Sequence, residues 1–291
     1  MGKTTVISFP GLGIENFSLD NVAFTLPFGE NGFPVMWYGV IIAFGMLCAI
    51  AYAYFRSKQM GISGDDLFDI AIFTVLFGIV GARLYYVIFK LEDFHSLGDV
   101  FNLRSGGLAI YGGVIAGATT IFVMTKFIKK ISWRKLFDAA GPGVLLAQGI
   151  GRWGNFFNAE AYGAIVPESS PLYFLRMGLL PNMDSYSTMY YYHPTFLYES
   201  LWNILGFVLI NIFHKTKRFD GQIALYYFIW YGFGRMFIEG LRTDSLYLGN
   251  TNIRVSQLLG MILFALGTGL LIFGLIMTKK AGKDTKEIEN G

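Results

Sequence analysis

The amino-acid sequence predicts an all-α integral membrane protein, a single polytopic domain over residues 1–291 with seven transmembrane helices and an extracytoplasmic cap formed largely by the loop between spans four and five. Three observations predict it. Hydrophobic residues make up 54% of the chain and charged residues only 15%, where a soluble domain carries about 25% charged residues. Mean hydropathy is +0.48. Phe occurs 28 times and Gly 36 times, pairing bulky lipid-facing groups with small ones that allow helices to approach closely.

A hydrocarbon core of about 30 Å requires roughly 20 apolar residues per helix. Runs of this kind lie near 35–55, 67–89, 108–128, 136–157, 196–213, 222–240 and 255–277. The fourth and sixth are less apolar than the rest because they hold Arg152 and Arg235. The first 34 residues contain Glu15, Asp20 and Glu30 and lack a basic start followed by an apolar stretch, so no cleaved signal peptide is expected and the first span directs insertion. Cys48 lies inside the first run; as the sole cysteine it makes no intrachain disulfide and packs as a small hydrophobe.

The segments between spans alternate in basic residues. Fourteen Lys and Arg fall on one side, including Lys126, Lys129, Lys130, Arg134 and Lys135, against six on the other: Lys3, Lys90, Arg104, Arg176, Arg242 and Arg254. The positive-inside rule puts the richer side in the cytoplasm, with the N-terminus outside and the C-terminus inside, as an odd number of spans requires. The longest connection, 158–195, then falls outside; its Pro167, Pro171 and Pro181 and its many tyrosines suit a small cap, and long loops are often functional. Neither an internal repeat nor inverted half-to-half similarity is visible, which disfavours the common transporter designs. A net charge of +3 demands no nucleic-acid partner.

Ionisable side chains at membrane depth cost about 2.5–3.5 kcal/mol on insertion scales and mark working positions. Four stand out: Arg83 in GARLYYV, Arg152 in GRWGNFFNAEAYG, and Arg235 and Glu239, which share a helix face four residues apart in YGFGRMFIEG. Several arginines near the outer face would form a multi-donor cradle for a phosphodiester such as a phospholipid headgroup. In the stretch 151–163, Arg152, Asn155 and Asn158 trace one helix face, Gly151 and Gly154 admit a close neighbour, and Glu160 follows where the helix ends. Competing structural readings are an ion pair for Arg235 with Glu239, an interhelical polar clasp for 151–163, and interfacial belt positions for Tyr38 and Tyr231. His193 in HPTFLYES reads as a capping and packing residue, and Glu199, one turn into the fifth span, is a candidate partner for a buried arginine.

The stretch GRWGNFFNAEAYG resembles the signature of the bacterial prolipoprotein diacylglyceryl transferase family, in the pattern Gly-Arg-x-Gly-Asn-Phe-x-Asn-x-Glu-x-x-Gly. The resemblance extends to WYG at 37–39, GARLYYV at 81–87, SGGLAIYGG at 105–113, HPTFLYE at 193–199 and YGFGRMFIEGLR at 231–242. It implies an enzyme of the bacterial cell membrane that moves the diacylglyceryl group of phosphatidylglycerol onto the lipobox cysteine thiol of a preprolipoprotein signal peptide, forming a thioether and releasing glycerol phosphate. Carried over position by position, it implies functional roles for Tyr38, Arg152, Asn155, Glu160, Gly163, Arg235 and Glu239, with Arg83 a further member. The chain departs from the family in having Tyr111 before the paired glycines of span three, where many members have histidine.

On this reading a thiol with a pKa of about 8.5 loses its proton while a phosphodiester leaves with its charge stabilised. Arg152, Arg235, Arg83 and Gly163 are the substrate-binding candidates, and Asn155 orients the headgroup. Tyr38, Tyr111, Asn155, Glu160 and Glu239 are the catalytic candidates, with the base open among Tyr111, Glu160 and Glu239. No metal-ligand spacing, nucleotide loop or serine-hydrolase elbow occurs, so no cofactor is expected. Lateral openings for the two membrane-borne substrates are expected beside the Gly-rich third and fourth spans. A transporter for an anionic solute and a phospholipid acyl transferase or hydrolase are the alternatives.

Overall fold

A computed structural model describes residues 2–28, 32–102, 106–181, 189–249 and 251–289. Glu30, Arg104, Ser105 and the stretch 182–188 of the long connection 158–195 lie outside the described residues. The chain divides into two compact units, one of Met1–Ala49 with Gly141–Gly291 and one of Ile50–Ala140.

The first unit begins with strands, which the hydropathy reading did not anticipate. β1 (Thr4–Phe9) and β2 (Ile14–Asp20) form a hairpin whose turn, Pro10–Leu12, ends at Gly13 in the left-handed region, φ 71°. A second antiparallel pair follows, β3 (Val22–Leu26) with β4 (Phe33–Met36). From the long connection between the helices Trp133–Phe157 and Thr195–Phe213, β5 (Met177–Pro181) and β6 (Tyr190–Tyr192) join the hairpin in the order β2-β1-β5-β6, with Val6 opposite both Ser18 and Leu180. The four-stranded sheet therefore draws half of its strands from the N-terminal segment. Ile7, Phe9, Leu19, Met177 and Leu179 bury against Phe156 and Phe196, which fastens the sheet to two helix ends.

The helices are α1 (Trp37–Gln59), α2 (Gly64–Phe89), the short α3 (Leu97–Phe101), α4 (Ile110–Val123, extended by a π turn to Ile128), α5 (Trp133–Phe157), α6 (Thr195–Phe213), α7 (Gln222–Leu241) and α8 (Val255–Glu289). Five helical stretches among the described residues are long and apolar enough to cross a membrane: Trp37–Gln59, Gly64–Phe89, Ile110–Ile128, Thr195–Thr216 and Val255–Gly282. α5 and α7, at the places of expected spans four and six, have 25 and 20 residues, enough for a bilayer core at about 1.5 Å per residue. They fall short in apolarity because they carry the arginines and Glu239.

Within the second unit, Ser63 caps α2 by accepting from the Asp66 amide at 3.1 Å, and Asp65 and Asp66 complement the helix dipole. α2 packs on α4 so closely that a Cβ on Gly112 would stand 2.3 Å from the Gly81 carbonyl oxygen. Gly112 and Gly113 of the third expected span are thus used for close contact with α2.

Within the first unit, α6 and α7 are joined by a reciprocal clasp. The indole of Trp202 donates to the Trp230 carbonyl at 3.1 Å and that of Trp230 to the Trp202 carbonyl at 2.9 Å, with the rings stacked 4.1 Å apart. Each ring covers a glycine of the opposite helix: a Cβ on Gly206 would lie 2.2 Å from Trp230, and one on Gly234 2.1 Å from Trp202. Two Trp-x-x-x-Gly stretches thereby fix the spacing of the helices that carry Glu199 and Arg235.

Candidate functional site

The first unit gathers its buried charges around Glu199 at the start of α6. Arg152 of α5 reaches Glu199 Oε2 at 2.7 Å, Arg235 of α7 reaches Oε1 at 3.0 Å, and Arg242, just past α7, stands 3.5 Å from Oε1. Arg235 also pairs with Glu239 at 2.7 Å, and Arg242 with Asp244 through two bonds of 2.9 and 2.7 Å. Arg254 Nη1 donates to the Glu239 carbonyl. Three guanidinium groups thus face three carboxylates, which lets charges be buried at tolerable cost. Arg235 and Glu239 do form the ion pair that their spacing allows, yet Arg235 also bridges to a second helix.

The network runs outward from Arg152. Its Nη1 donates to Asn155 Oδ1 at 3.2 Å, and the amides of Asn155 and Asn158 donate to Glu160 Oε1 at 3.0 and 3.3 Å. The end of α5 explains how Glu160 folds back. Its amide donates to the Asn155 carbonyl at 3.0 Å and the Ala159 amide to the Phe156 carbonyl at 2.9 Å, a Schellman closure. The left-handed position usually given to glycine is filled by Ala159, φ 49°, and Ala161 beyond Glu160 is left-handed too, φ 56°. Residues without a steric licence for this conformation cost about 1–2 kcal/mol each, so Glu160 sits in a strained turn.

Burial grades along the ladder. Glu239 is 2% and Glu199 5% exposed, Arg152 retains 22% of its side-chain surface, and Glu160 is exposed. Among the described residues Arg152 uses two of its five N–H groups, so donors remain at the accessible end. Tyr38 of α1 lies on the same helix end: a Cβ on Gly154 would meet its ring at 3.0 Å, the close approach the glycine spacing predicts.

Gly163 is wedged rather than open. Its amide donates to the His193 carbonyl at 2.9 Å, and a Cβ would fall 2.8 Å from both His193 Cβ and the Leu241 carbonyl oxygen. Gly163 thereby holds the segments before α6 and after α7 together. His193 is buried, its Nδ1 3.2 Å from the Tyr198 hydroxyl, and burial pushes its pKa below the ordinary value, in keeping with a packing role.

Arg83, in the second unit, has a different environment. Nε donates to the Val100 carbonyl at 2.8 Å, Nη1 to those of Gly106 and Gly107 at 2.5 and 2.9 Å, and Nη2 to those of Asp99 and Asn102 at 2.7 and 2.9 Å. All five N–H groups are occupied by backbone. Through these bonds Arg83 ties down the loop that leads into α4. Tyr111 is half-buried in the first turn of α4.

Three members of the charged network, Glu199, Arg242 and Asp244, were not singled out as site residues from the sequence. Glu199 entered only as a partner for an arginine, and Arg242 only as an outer-loop charge. For these two a signal was present, since both end motifs, HPTFLYE and YGFGRMFIEGLR, that carry the family resemblance.

A model of the prolipoprotein diacylglyceryl transferase family matches residues 22–273. The chain is 42% identical over 261 residues to phosphatidylglycerol–prolipoprotein diacylglyceryl transferase 1 of Clostridium perfringens, covering 88% of this chain and 96% of that protein. It is 43% identical over 258 residues to the phosphatidylglycerol–prolipoprotein diacylglyceryl transferase of Enterococcus faecalis, with coverage of 87% and 90%. The Listeria innocua protein of that name is 41% identical over 288 residues, with coverage of 95% and 99%.

Proposed function

The chain belongs to the prolipoprotein diacylglyceryl transferase family, and from that premise we propose how its residues carry the reaction. It is a membrane transferase that moves the diacylglyceryl group of phosphatidylglycerol to a prolipoprotein in lipoprotein maturation. The acceptor is the thiol of a lipobox cysteine in the signal peptide. Its sulfur attacks the glyceryl carbon that bears the phosphate ester, the C–S bond forms as the C–O bond breaks, and glycerol phosphate leaves with the electron pair.

The observation that carries the assignment of residues is the ladder Arg235–Glu199–Arg152–Asn155–Glu160. Arg152 supplies free donors to the phosphate, where charge develops, and Asn155 orients the headgroup. Glu199 and Glu239 hold Arg152 and Arg235 in place, so Arg235 acts on the phosphate from the buried side. Glu160 takes the thiol proton, because it is the exposed carboxylate of the ladder, whereas Glu239 is buried against Arg235. Tyr38 packs beside the ladder and lines the approach to it.

α5 and α7 join the five apolar stretches as spans, giving seven, because their charges find partners inside the protein. The preponderance of basic residues on one side supports a cytoplasmic C-terminus, an outer N-terminus and a site toward the outer leaflet.

Reconstitution with phosphatidylglycerol and a lipobox peptide tests the reading. Mass analysis is expected to show a thioether-linked diacylglyceryl peptide; an ester or a free fatty acid overturns it. Tyr111→Phe is expected to leave kcat near wild type while Glu160→Gln lowers it by about 100-fold, the range of general-base contributions. The reverse order moves the proton to Tyr111.

A further inference from the structure

A cavity of about 510 Å³ opens between the N-terminal hairpin and the facing ends of α5 and α6. Phe156 and Phe196, with ring centroids 4.8 Å apart, form its floor, and Phe9 and Phe17 stand against Phe156 as its hairpin wall. At the rim, Leu12, Ile14 and Trp153 keep 49%, 45% and 42% of their surface exposed.

The chemistry of the lining selects its occupant. The one polar side-chain atom among the lining residues, the Trp153 indole nitrogen, is occupied by Ser200 Oγ at 3.2 Å. A peptide would bring backbone N–H and C=O groups that need partners, and an ion would need a counter-charge. A hydrocarbon chain needs neither and gains from every apolar contact. The volume falls within the usual range for small-molecule sites.

Its position ties it to the charged ladder. Trp153 and Phe156 directly follow Arg152 and Asn155 in α5, so the cavity floor and the phosphate donors occupy the same helical turn, about 5.4 Å of rise. The hairpin wall, residues 9–17, precedes the family-matched stretch, which begins at residue 22.

We propose that this cavity is an acyl-chain subsite, which takes one hydrocarbon tail of the lipid donor whose phosphate lies at Arg152. The identity of that lipid rests on the transferase reading; the apolar subsite itself does not. The hairpin then makes the N-terminal segment a determinant of acyl-chain preference.

Photolabelling tests it. The full-length protein in vesicles is irradiated with phosphatidylglycerol bearing a diazirine at the end of one acyl chain, and adducts are mapped by peptide mass spectrometry. Adducts within 9–17, 153–156 or 196–197 that unlabelled phosphatidylglycerol displaces are expected. Adducts only elsewhere, or adducts in these segments displaced by a lipobox peptide but not by lipid, overturn the proposal. As a second measurement, Ile14→Trp, which narrows the rim, should lower the ratio of kcat/KM for long-chain over short-chain phosphatidylglycerol by about tenfold. An unchanged ratio in a folded variant also overturns it. Labelled segments without thioether product defeat the transferase reading and leave the subsite standing; thioether product without label in these segments does the opposite.

Discussion

Arg83 and Arg152 are both arginines in apolar helices, yet one is enclosed by backbone and the other by side chains. Arg83 gives its five donors to five carbonyl oxygens, each fixed by the chain itself. Arg152 shares a carboxylate with two other arginines and keeps donors in reserve. A saturated guanidinium serves as a structural tie, whereas one with donors to spare can take up an anionic ligand beside its carboxylate partner. The count of remaining donors separates the two.

The largest expected effect breaks the charged network. Glu199→Gln leaves its three arginines short of one carboxylate, and removing one partner of a buried pair costs about 3–5 kcal/mol. Transferase activity should fall below detection together with a lowered unfolding temperature in detergent; near-normal turnover would remove Glu199 as the organising group.

Arg83→Lys addresses the other side of the comparison. Three ammonium donors cannot span five carbonyls, so at least two hydrogen bonds to a charged group are lost, each worth about 1.5–3 kcal/mol. Thermal stability should drop while KM for phosphatidylglycerol stays within about twofold. A large rise in KM with stability intact would return Arg83 to the phosphate.

Gly234→Ala sharpens the contrast by disturbing one region only. The added methyl would lie 2.1 Å from the Trp202 ring and would force α6 from α7, at about 1–3 kcal/mol for overpacking. Activity should fall through kcat, because Glu199 and Arg235 shift relative to each other, while the loop held by Arg83 keeps its protection from hydrogen exchange. Equal loss of protection in both regions counts against their separateness.

The smallest effect is a pH dependence. Hydrogen bonding from Arg242 holds the Asp244 carboxyl below its ordinary pKa. A carboxylate with a depressed folded value stabilises the fold above its unfolded pKa, near 3.9, and that contribution is lost as pH falls through the folded value. Asp244→Asn should therefore lower stability across the neutral range by that contribution and flatten its decline below about pH 4, where the variant and the wild type converge. Thermal unfolding between pH 3 and 7 measures it.

Much of the helical framework was legible. The expected run 222–240 is the helix Gln222–Leu241, and the fourth expected run ends with α5 at residue 157. The strands were less so: β1 pairs with β5 more than 160 positions away, although the β-branched run TTVISF before Pro10 was a local cue. In the site, Arg152, Asn155, Asn158 and Glu160 were readable together because they lie within one turn and its closure. Glu199 was visible as a charge without a known partner, and the two Trp-x-x-x-Gly stretches carry no meaning until their helices face each other.

By itself, then, the sequence determined where apolar helices run, which residues share a helix face, and that charges lie within them. These are consequences of local periodicity and of transfer from water to lipid, properties each segment has alone. Only the tertiary structure decided that Glu199 joins three arginines, that Arg83 is filled by carbonyls, and that the hairpin closes an apolar cavity. Hydrogen bonds and ion pairs act over about 3 Å, so their partners depend on which distant segments packing brings into reach.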